Sequence, residues 1–179
     1  MKKSFPALCA LFILFQNARA DGEAASWRDN LRATWESENH TVIVPVNTYH
    51  SRLTYDKEHI KRYNEMPWGL GVERFYVDEK RNRHSFYALA FAASYGHVQP
   101  VVGYTWEKSV FLNDSHSARL GLGCTAVITA RRQNDYIPFP GVLPIASLGY
   151  RGLAIHTSWV PYGGRNWGNV YLTVLKISV

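Results

Sequence analysis

The feature that most constrains the fold of this chain is a repeated alternation of side-chain types from one residue to the next. Over 101–107, the large apolar residues Val102, Tyr104 and Trp106 alternate with small or polar residues. The segment 119–131 continues the pattern, with apolar side chains at every second position. Successive side chains of a β-strand point to opposite faces. These segments therefore predict strands with one apolar face and one small or polar face.

Further segments of this kind, separated by turn-rich stretches, predict an all-β chain with eight antiparallel strands. We expect strands near 42–53, 69–78, 84–95, 98–109, 118–131, 142–150, 152–160 and 169–178. Eight strands that close into a barrel leave an interior wide enough for side chains or for one slim ligand. A barrel with a small internal binding space is the fold that the pattern predicts.

The direction of the alternation distinguishes two kinds of barrel. A transmembrane barrel turns its apolar face to lipid and keeps small and polar residues inside, whereas a soluble lipocalin-type barrel does the reverse. An aromatic content of 14% favours the membrane form, because aromatic girdles lie at both membrane interfaces. On this interpretation Tyr87, Leu89 and Phe91 face outward, and Ala88 and Ala90 face the interior.

Residues 1–20 have the form of a secretory signal peptide. Lys2 and Lys3 precede a short apolar core over 7–15, and Ala18-Arg19-Ala20 is a small-x-small cleavage pattern. Removal of this segment takes away three of the 20 Lys and Arg residues and none of the 14 Asp and Glu residues, which leaves an excess of about three positive charges. So small an excess argues against nucleic-acid binding.

Residues 21–37 predict a short amphipathic helix ahead of a barrel domain that covers 38–179. Trp27, Leu31 and Trp35 recur at intervals of four, with charged residues between them. This spacing places all three on one helix face. Tryptophan is favoured at membrane interfaces, so we expect the helix to lie there. A helix packed on a soluble body is the alternative.

His50 is the candidate catalytic residue that the pattern itself indicates. It ends the first predicted strand, on the same face as Thr48 and Arg52 and opposite Tyr49. An imidazole at the polar end of a half-apolar strand can serve as a general base, although an ordinary surface histidine fits the same pattern. The other histidines lack the spacing of a metal site, and we expect neither a metal nor another cofactor.

Several short motifs resemble, in order along the chain, those of the lipid A palmitoyltransferase family (PagP). They include Tyr55-Asp56-Lys57-Glu58, Arg62-Tyr63-Asn64-Glu65, Pro67-Trp68-Gly69, Leu120-Gly121-Leu122-Gly123, Tyr136-Ile137-Pro138 and Gly168-Asn169-Val170-Tyr171. The resemblance implies an eight-stranded antiparallel transmembrane β-barrel with an N-terminal amphipathic helix, in the bacterial outer membrane. It also implies an acyltransferase that moves a palmitoyl chain from a glycerophospholipid to a hydroxyacyl chain of lipid A, with no nucleic-acid partner and as a monomer.

The catalytic residues that the resemblance implies are a histidine on the first strand and an Asp-Ser pair at the rim of the third. His50 matches the histidine and Ser94 the serine, but Ala93 stands in place of the aspartate. His50 therefore lacks its expected carboxylate partner. The acid is dispensable in this branch, the protein is weakly active or inactive, or another carboxylate substitutes; we expect retained activity. The carboxylates considered as substitutes are Asp56, Glu58 and Asp78.

The resemblance further implies which residues let the acyl chain enter the barrel and which residue limits its length. Proline cannot donate to a strand ladder, and the family has prolines at two lateral gaps in the barrel wall. The prolines that match these positions are Pro45, Pro67, Pro144 and Pro161. Thr105 stands where well-known members have a glycine at the floor of the acyl pocket. We therefore expect a chain somewhat shorter than palmitate, unless Ala88 and Ala90 deepen the pocket.

His59, Lys61 and Arg62 match positions where the family tends to carry polar or basic residues. The resemblance implies a contact with lipopolysaccharide there, although an ordinary solvated loop explains these residues equally well. Two other functions are compatible with the sequence. One is a non-enzymatic outer-membrane barrel that binds lipopolysaccharide, and the other is a phospholipase that passes the acyl group to water.

Overall fold

The chain forms a closed barrel of eight antiparallel strands, which confirms the predicted fold class. The computed structural model describes residues 26–113, 115, 117–161 and 163–179. Each strand pairs with its neighbours in sequence, and β8 pairs with β1 to close the barrel. The strands are β1 His40–His50, β2 Gly69–Val77, β3 Asn82–Ala92, β4 Val98–Phe111, β5 Ala118–Thr129, β6 Phe139–Tyr150, β7 Leu153–Val160 and β8 Val170–Ser178. The predicted signal peptide, residues 1–20, lies outside the described residues.

The two ends of the barrel carry different connections. At one end, the short-turn end, the strands are joined by 78–81, 112–117 and 151–152. At the other, the long-loop end, the connections are 51–68, 93–97, 130–138 and 161–169. Bacterial outer-membrane barrels have this asymmetry, with short turns on the periplasmic side and longer loops outside.

The barrel interior is divided into two compartments along its axis. The compartment towards the long-loop end is apolar, with a buried cluster of Ile43, Leu89, Phe91 and Val174. The compartment towards the short-turn end is charged and is built around Glu73, which is 2% exposed. Buried charges are tolerated when they are paired. The cations that pair with Glu73 are Lys176, at 2.7 Å, and Arg83, at 3.0 Å.

The predicted orientation of β3 is wrong. Leu89 and Phe91 are buried inside the barrel, whereas Ala88 and Ala90 are exposed on its outer surface. The reason is that this part of the interior is apolar, so polarity does not distinguish the inner face from the outer one. Bulky side chains of β3 face inward beside the inward glycines of β2, with Leu89 opposite Gly71. Ala88 and Ala90 therefore cannot deepen an internal pocket.

The orientations predicted for β4 and β5 are confirmed. Val102 and Leu122 lie on the outer surface, and Thr105 and Thr125 are buried inside. On these two strands the inward residues are small or polar, so the alternation of residue types indicates the two faces correctly.

The predicted N-terminal helix is present as α1, Trp27–Glu36. A capping box begins it, because Ser26 Oγ accepts a hydrogen bond from the Arg28 N–H and the Asp29 carboxylate accepts one from the Ser26 N–H. Its last turn packs on the outside of β2 and β3. There the Arg74 guanidinium lies over the Trp35 ring and donates to the Trp35 carbonyl. No helix in the described part of the chain is long and apolar enough to cross a membrane.

Gly121 leaves space for the buried charges, and filling that space should destabilise the barrel. A Cβ at Gly121 would lie 2.4 Å from both Glu107 Oε1 and Ser147 Oγ. We expect Gly121→Ala to lower the free energy of unfolding by about 1–3 kcal/mol, as overpacking of a core does. Equilibrium urea unfolding of the refolded barrel, followed by tryptophan fluorescence, measures the change. The matched control is Gly141→Ala, whose Cβ would meet only Val127 Cγ2, at 3.4 Å; equal losses in both variants would contradict the prediction.

Candidate active site

A β-bulge turns His50 into the barrel. The register of β1 against β8 shifts between Pro45 and Asn47, so the inward positions change from odd to even numbers. Thr41 and Ile43 face inward before the bulge, and Thr48 and His50 face inward after it, all of them buried. A one-residue shift moves every later side chain to the other face. Without the bulge His50 would lie on the outer surface; with it, the imidazole is 3% exposed at the mouth of the apolar compartment.

The structure brings the two predicted catalytic residues together. Ser94 follows β3 in a tight turn over 93–97, where Gly96 adopts a positive φ of 76° and the Gly96 N–H donates to the Ala93 carbonyl. The turn directs the Ser94 hydroxyl towards β1 across the barrel rim. Ser94 Oγ lies 2.9 Å from His50 Nε2. This is the separation of a hydrogen bond between a hydroxyl and a general base.

The carboxylate at His50 belongs to Glu65, which the sequence did not indicate. Glu65 Oε1 lies 3.1 Å from His50 Nδ1 and accepts a further 3.1 Å hydrogen bond from the His50 backbone N–H. Arg52 holds the same carboxylate in a bidentate pair, at 2.7 and 2.6 Å. The network assigns the proton of His50 to Nδ1. Nε2 then carries the lone pair that faces the Ser94 hydroxyl.

Glu65 is ionised at neutral pH. The hydrogen bonds from Arg52 lower the pKa of Glu65 to about 2, against an opposing effect of burial, and the hydrogen bonds from His50 lower it further. A negative charge therefore faces Nδ1 at any pH at which the imidazole itself titrates.

The three carboxylates considered as substitutes have other partners or positions. Asp56 binds Arg165 and Asn166, each at 2.8 Å. Asp78 lies at the short-turn end, 3.2 Å from His84 Nε2. Glu58 is exposed on α2, the short helix Lys57–Ile60 in the first long loop.

Tyrosine rings enclose the imidazole. Tyr63 stacks on His50 with 4.4 Å between ring centroids, and Tyr55 meets it edge-on at 5.1 Å. Tyr95 in turn packs edge-on against Tyr63, at 5.3 Å. Burial, and then the hydrogen bond with Tyr95, raise the pKa of Tyr63 well above its usual range, so the hydroxyl is neutral. The rings limit the access of water to the His50 contacts, and exclusion of water strengthens such contacts.

The described strand pairing has two gaps towards the long-loop end, and predicted gap prolines lie beside both. The described pairing of β1 with β2 stops at Ile43 and Gly71. Pro45 lies beyond this point on β1, and Pro67 lies just before the start of β2. The described pairing of β6 with β7 covers Ile145–Tyr150 of β6. It stops next to Pro144, and Pro161 follows the end of β7.

Comparison with known proteins assigns the chain to a family. Residues 30–176 match the model of the family described as "Antimicrobial peptide resistance and lipid A acylation protein PagP". The chain belongs to the PagP family. The lipid A acyltransferase PagP of Laribacter hongkongensis is 43% identical over 151 residues, which cover 84% of this chain and 71% of that protein. The lipid A palmitoyltransferase PagP of Escherichia coli is 41% identical over 160 residues, which cover 89% of this chain and 86% of that protein.

Thr105, which differs from the glycine expected in PagP proteins, lies at the boundary between the two interior compartments. It is 4% exposed and faces inward on β4, between Gly103 on the apolar side and Glu107 on the charged side. Thr125 lies opposite it on β5 and is joined to the Tyr87 hydroxyl at 3.0 Å. Thr105, Thr125 and Tyr87 form a layer that we call the threonine-tyrosine floor.

The residues expected to contact lipopolysaccharide are exposed at the long-loop end. His59 lies on α2, and Lys61 and Arg62 lie in the turn that follows it. No carboxylate lies within ion-pair distance of Lys61 or Arg62 among the described residues. These two cations are therefore available to an external anion.

The Glu65 carboxyl group should titrate near pH 2 in the folded protein. Because its pKa is lowered on folding, its contacts stabilise the loop above the ordinary glutamate pKa of about 4.3, and this stabilisation is lost as the pH falls through 2. A ¹³C NMR titration of the glutamate carboxyl groups in detergent micelles measures the midpoint. Arg52→Gln should move it upward, since Arg52 is the main cause of the shift. An ordinary midpoint in the unmodified protein would contradict the pairing.

Proposed function

We propose that this chain transfers a palmitoyl or somewhat shorter acyl chain from a glycerophospholipid to a hydroxyacyl chain of lipid A. The observation that carries the proposal is the linked set of Glu65, His50 and Ser94 at the mouth of an apolar barrel interior. The relatives named lipid A acyltransferase and lipid A palmitoyltransferase support the same reaction. No cofactor is needed for acyl transfer between an ester and a hydroxyl.

The apolar compartment is the proposed site of the acyl chain. It is lined by Ile43, Leu89 and Val174, and burial of hydrocarbon there is favourable by roughly 0.8 kcal/mol for each methylene. The two gaps in the described pairing support a route from the bilayer into the barrel, since no ladder has to be broken at such openings. We assign the openings to lateral exchange of the donor and the acceptor with the membrane.

His50 is the proposed general base. In one route Nε2 takes the proton of the Ser94 hydroxyl, and Ser94 Oγ attacks the donor ester. The proton passes to the leaving lysophospholipid oxygen. The lipid A hydroxyl then gives its proton to His50 and attacks the acyl-serine, and His50 returns the proton to the released Ser94 Oγ. In a direct route His50 deprotonates the lipid A hydroxyl, whose oxygen attacks the donor ester while Ser94 donates a hydrogen bond to the ester carbonyl. His50 then gives the proton to the leaving lysophospholipid oxygen. Rapid-quench mass spectrometry distinguishes them, because only the first places an acyl group on Ser94.

The proposed setting is the bacterial outer membrane, reached after removal of residues 1–20, with a monomer as the working form. Residues 38–179 are the barrel that spans the bilayer, and 21–37 include α1 at the periplasmic interface. Trp27 and Trp35 are about two-thirds exposed, as residues that contact interfacial lipid should be. At the opposite face, His59, Lys61 and Arg62 are assigned to contact with the phosphate groups of lipopolysaccharide.

Co-incubation of the refolded protein with labelled phospholipid, with and without lipid A, tests the proposal. We expect the label to appear on lipid A. Release of free fatty acid alone would indicate a phospholipase, and the absence of both products would indicate a non-enzymatic barrel.

His50→Ala and Ser94→Ala should each reduce transfer by about 10²- to 10⁴-fold. The matched control is His97→Ala, in the same turn as Ser94 but with its ring 3.4 Å from Arg132; undiminished transfer in both site variants would overturn the assignment.

Thr105 should set a chain length shorter than palmitate. Its branched side chain occupies floor space that a glycine would leave open, and close-packed interiors do not absorb such a change. We therefore expect Thr105→Gly to shift the preferred acyl chain to a longer one. Competition among phospholipid donors, read by mass spectrometry of the lipid A product, measures the preference. The matched control is Thr157→Gly, an outward-facing threonine of β7; a palmitate preference that Thr105→Gly leaves unchanged would contradict the assignment.

A further inference from the structure

We propose that Glu65 is the positioning residue for His50 and supplies the carboxylate that Ala93 lacks. The inference deepens the proposed function and rests on it. Glu65 does not have to touch the substrate. It acts through the imidazole, by fixing its orientation and its tautomer and by stabilising the positive charge that forms when His50 takes a proton.

The contacts of the Glu65 carboxylate are suited to this role. One oxygen, Oε1, faces both the ring Nδ1 and the backbone N–H of His50, each at 3.1 Å. Because the carboxylate binds both the backbone and the ring of His50, it fixes the side-chain torsions and the tautomer of that residue. The Nε2 lone pair is thereby held towards Ser94 Oγ, at 2.9 Å.

Although Glu65 lies in a loop, backbone hydrogen bonds hold it in place. The Glu65 carbonyl accepts hydrogen bonds from the Thr48 N–H, at 2.9 Å, and from Asn47 Nδ2, at 3.1 Å. The N–H of the preceding residue, Asn64, donates to the Ser94 carbonyl at 2.7 Å. The dipeptide Asn64-Glu65 therefore ties the strand that carries the base to the turn that carries the hydroxyl, and holds both at a fixed separation.

Arg52 completes the arrangement on the solvent side. Its guanidinium pairs with both carboxylate oxygens and also donates to the His50 carbonyl, at 2.9 Å. The ion pair lowers the pKa of Glu65 and holds the carboxylate in addition to its two contacts with His50. Removing Arg52 leaves the charge of Glu65 next to His50, whereas removing the charge of Glu65 breaks the same ion pair and also deprives the imidazole of its partner. The two variants thus separate a positioning role from simple anchoring of the loop.

The test compares Glu65→Gln with Arg52→Gln in the full-length refolded protein. We expect Glu65→Gln to lower kcat for acyl transfer by about 10²- to 10⁴-fold, the size of effect seen when the carboxylate of a serine-histidine-acid set is made neutral. KM for the phospholipid should change little. The acidic limb of the pH profile should move to lower pH, because the imidazolium loses an adjacent negative charge. Arg52→Gln should lose less than about tenfold in kcat.

Equal losses in the two variants, or a Glu65→Gln defect confined to KM, would overturn the proposal and leave Glu65 as a loop anchor. ¹⁵N NMR of the imidazole tests it without activity. The spectrum of the unmodified protein should contain the low-field signal of a proton on His50 Nδ1, and Glu65→Gln should lose this signal. An unchanged signal would count against the proposal. If the unmodified protein transfers no acyl group, the proposed function fails, and the NMR result still decides the role of Glu65.

Discussion

The hydrogen-bonded ladder that runs around all eight strands and returns from β8 to β1 is the constraint on which the rest of the structure depends. In the bilayer that we propose as its setting, no water is present to satisfy a free N–H or carbonyl group, so the strands must pair and the sheet must close. Closure fixes the register of every pair, and the register decides which side chains share the interior. The apolar cluster at Ile43 and the paired charges at Glu73 are both consequences of that register.

The candidate active site lies where the ladder is interrupted. The bulge at Pro45 frees the end of β1 from β2 and rotates His50 inward in the same step. The backbone groups left without a strand partner are satisfied by a loop, since the Glu65 carbonyl accepts from the Thr48 N–H. The loop that satisfies these backbone groups therefore also brings the Glu65 carboxylate to the His50 imidazole. The bulge after this mid-strand proline lies beyond the end of the pairing with β2 and turns the base inward.

The alternation of residue types was sufficient to predict the number of strands and their approximate lengths. It also predicted which side chains of β4 and β5 point into the barrel. It failed at β3, because polarity marks the inner face only where the interior is polar, and Leu89 and Phe91 lie in the apolar half. His50 and Ser94 could be predicted from matching motifs on two strand ends. Glu65 could not, because its contact with His50 depends on how 51–68 folds back over the rim. Its motif, Arg62-Tyr63-Asn64-Glu65, was visible in the sequence, but nothing in the motif says which side chain points at the base.

With the acyl chain in the apolar compartment, as proposed, the division of the interior makes errors of chain selection one-sided. A chain that is too short leaves part of the apolar compartment unfilled and forfeits only the contacts of the missing methylenes. A chain that is too long has to push past the threonine-tyrosine floor towards Glu73, Arg83 and Lys176, where hydrocarbon would separate charges that need each other. The penalty therefore rises gradually on one side and abruptly on the other. We therefore expect misloaded products to carry acyl chains that are too short.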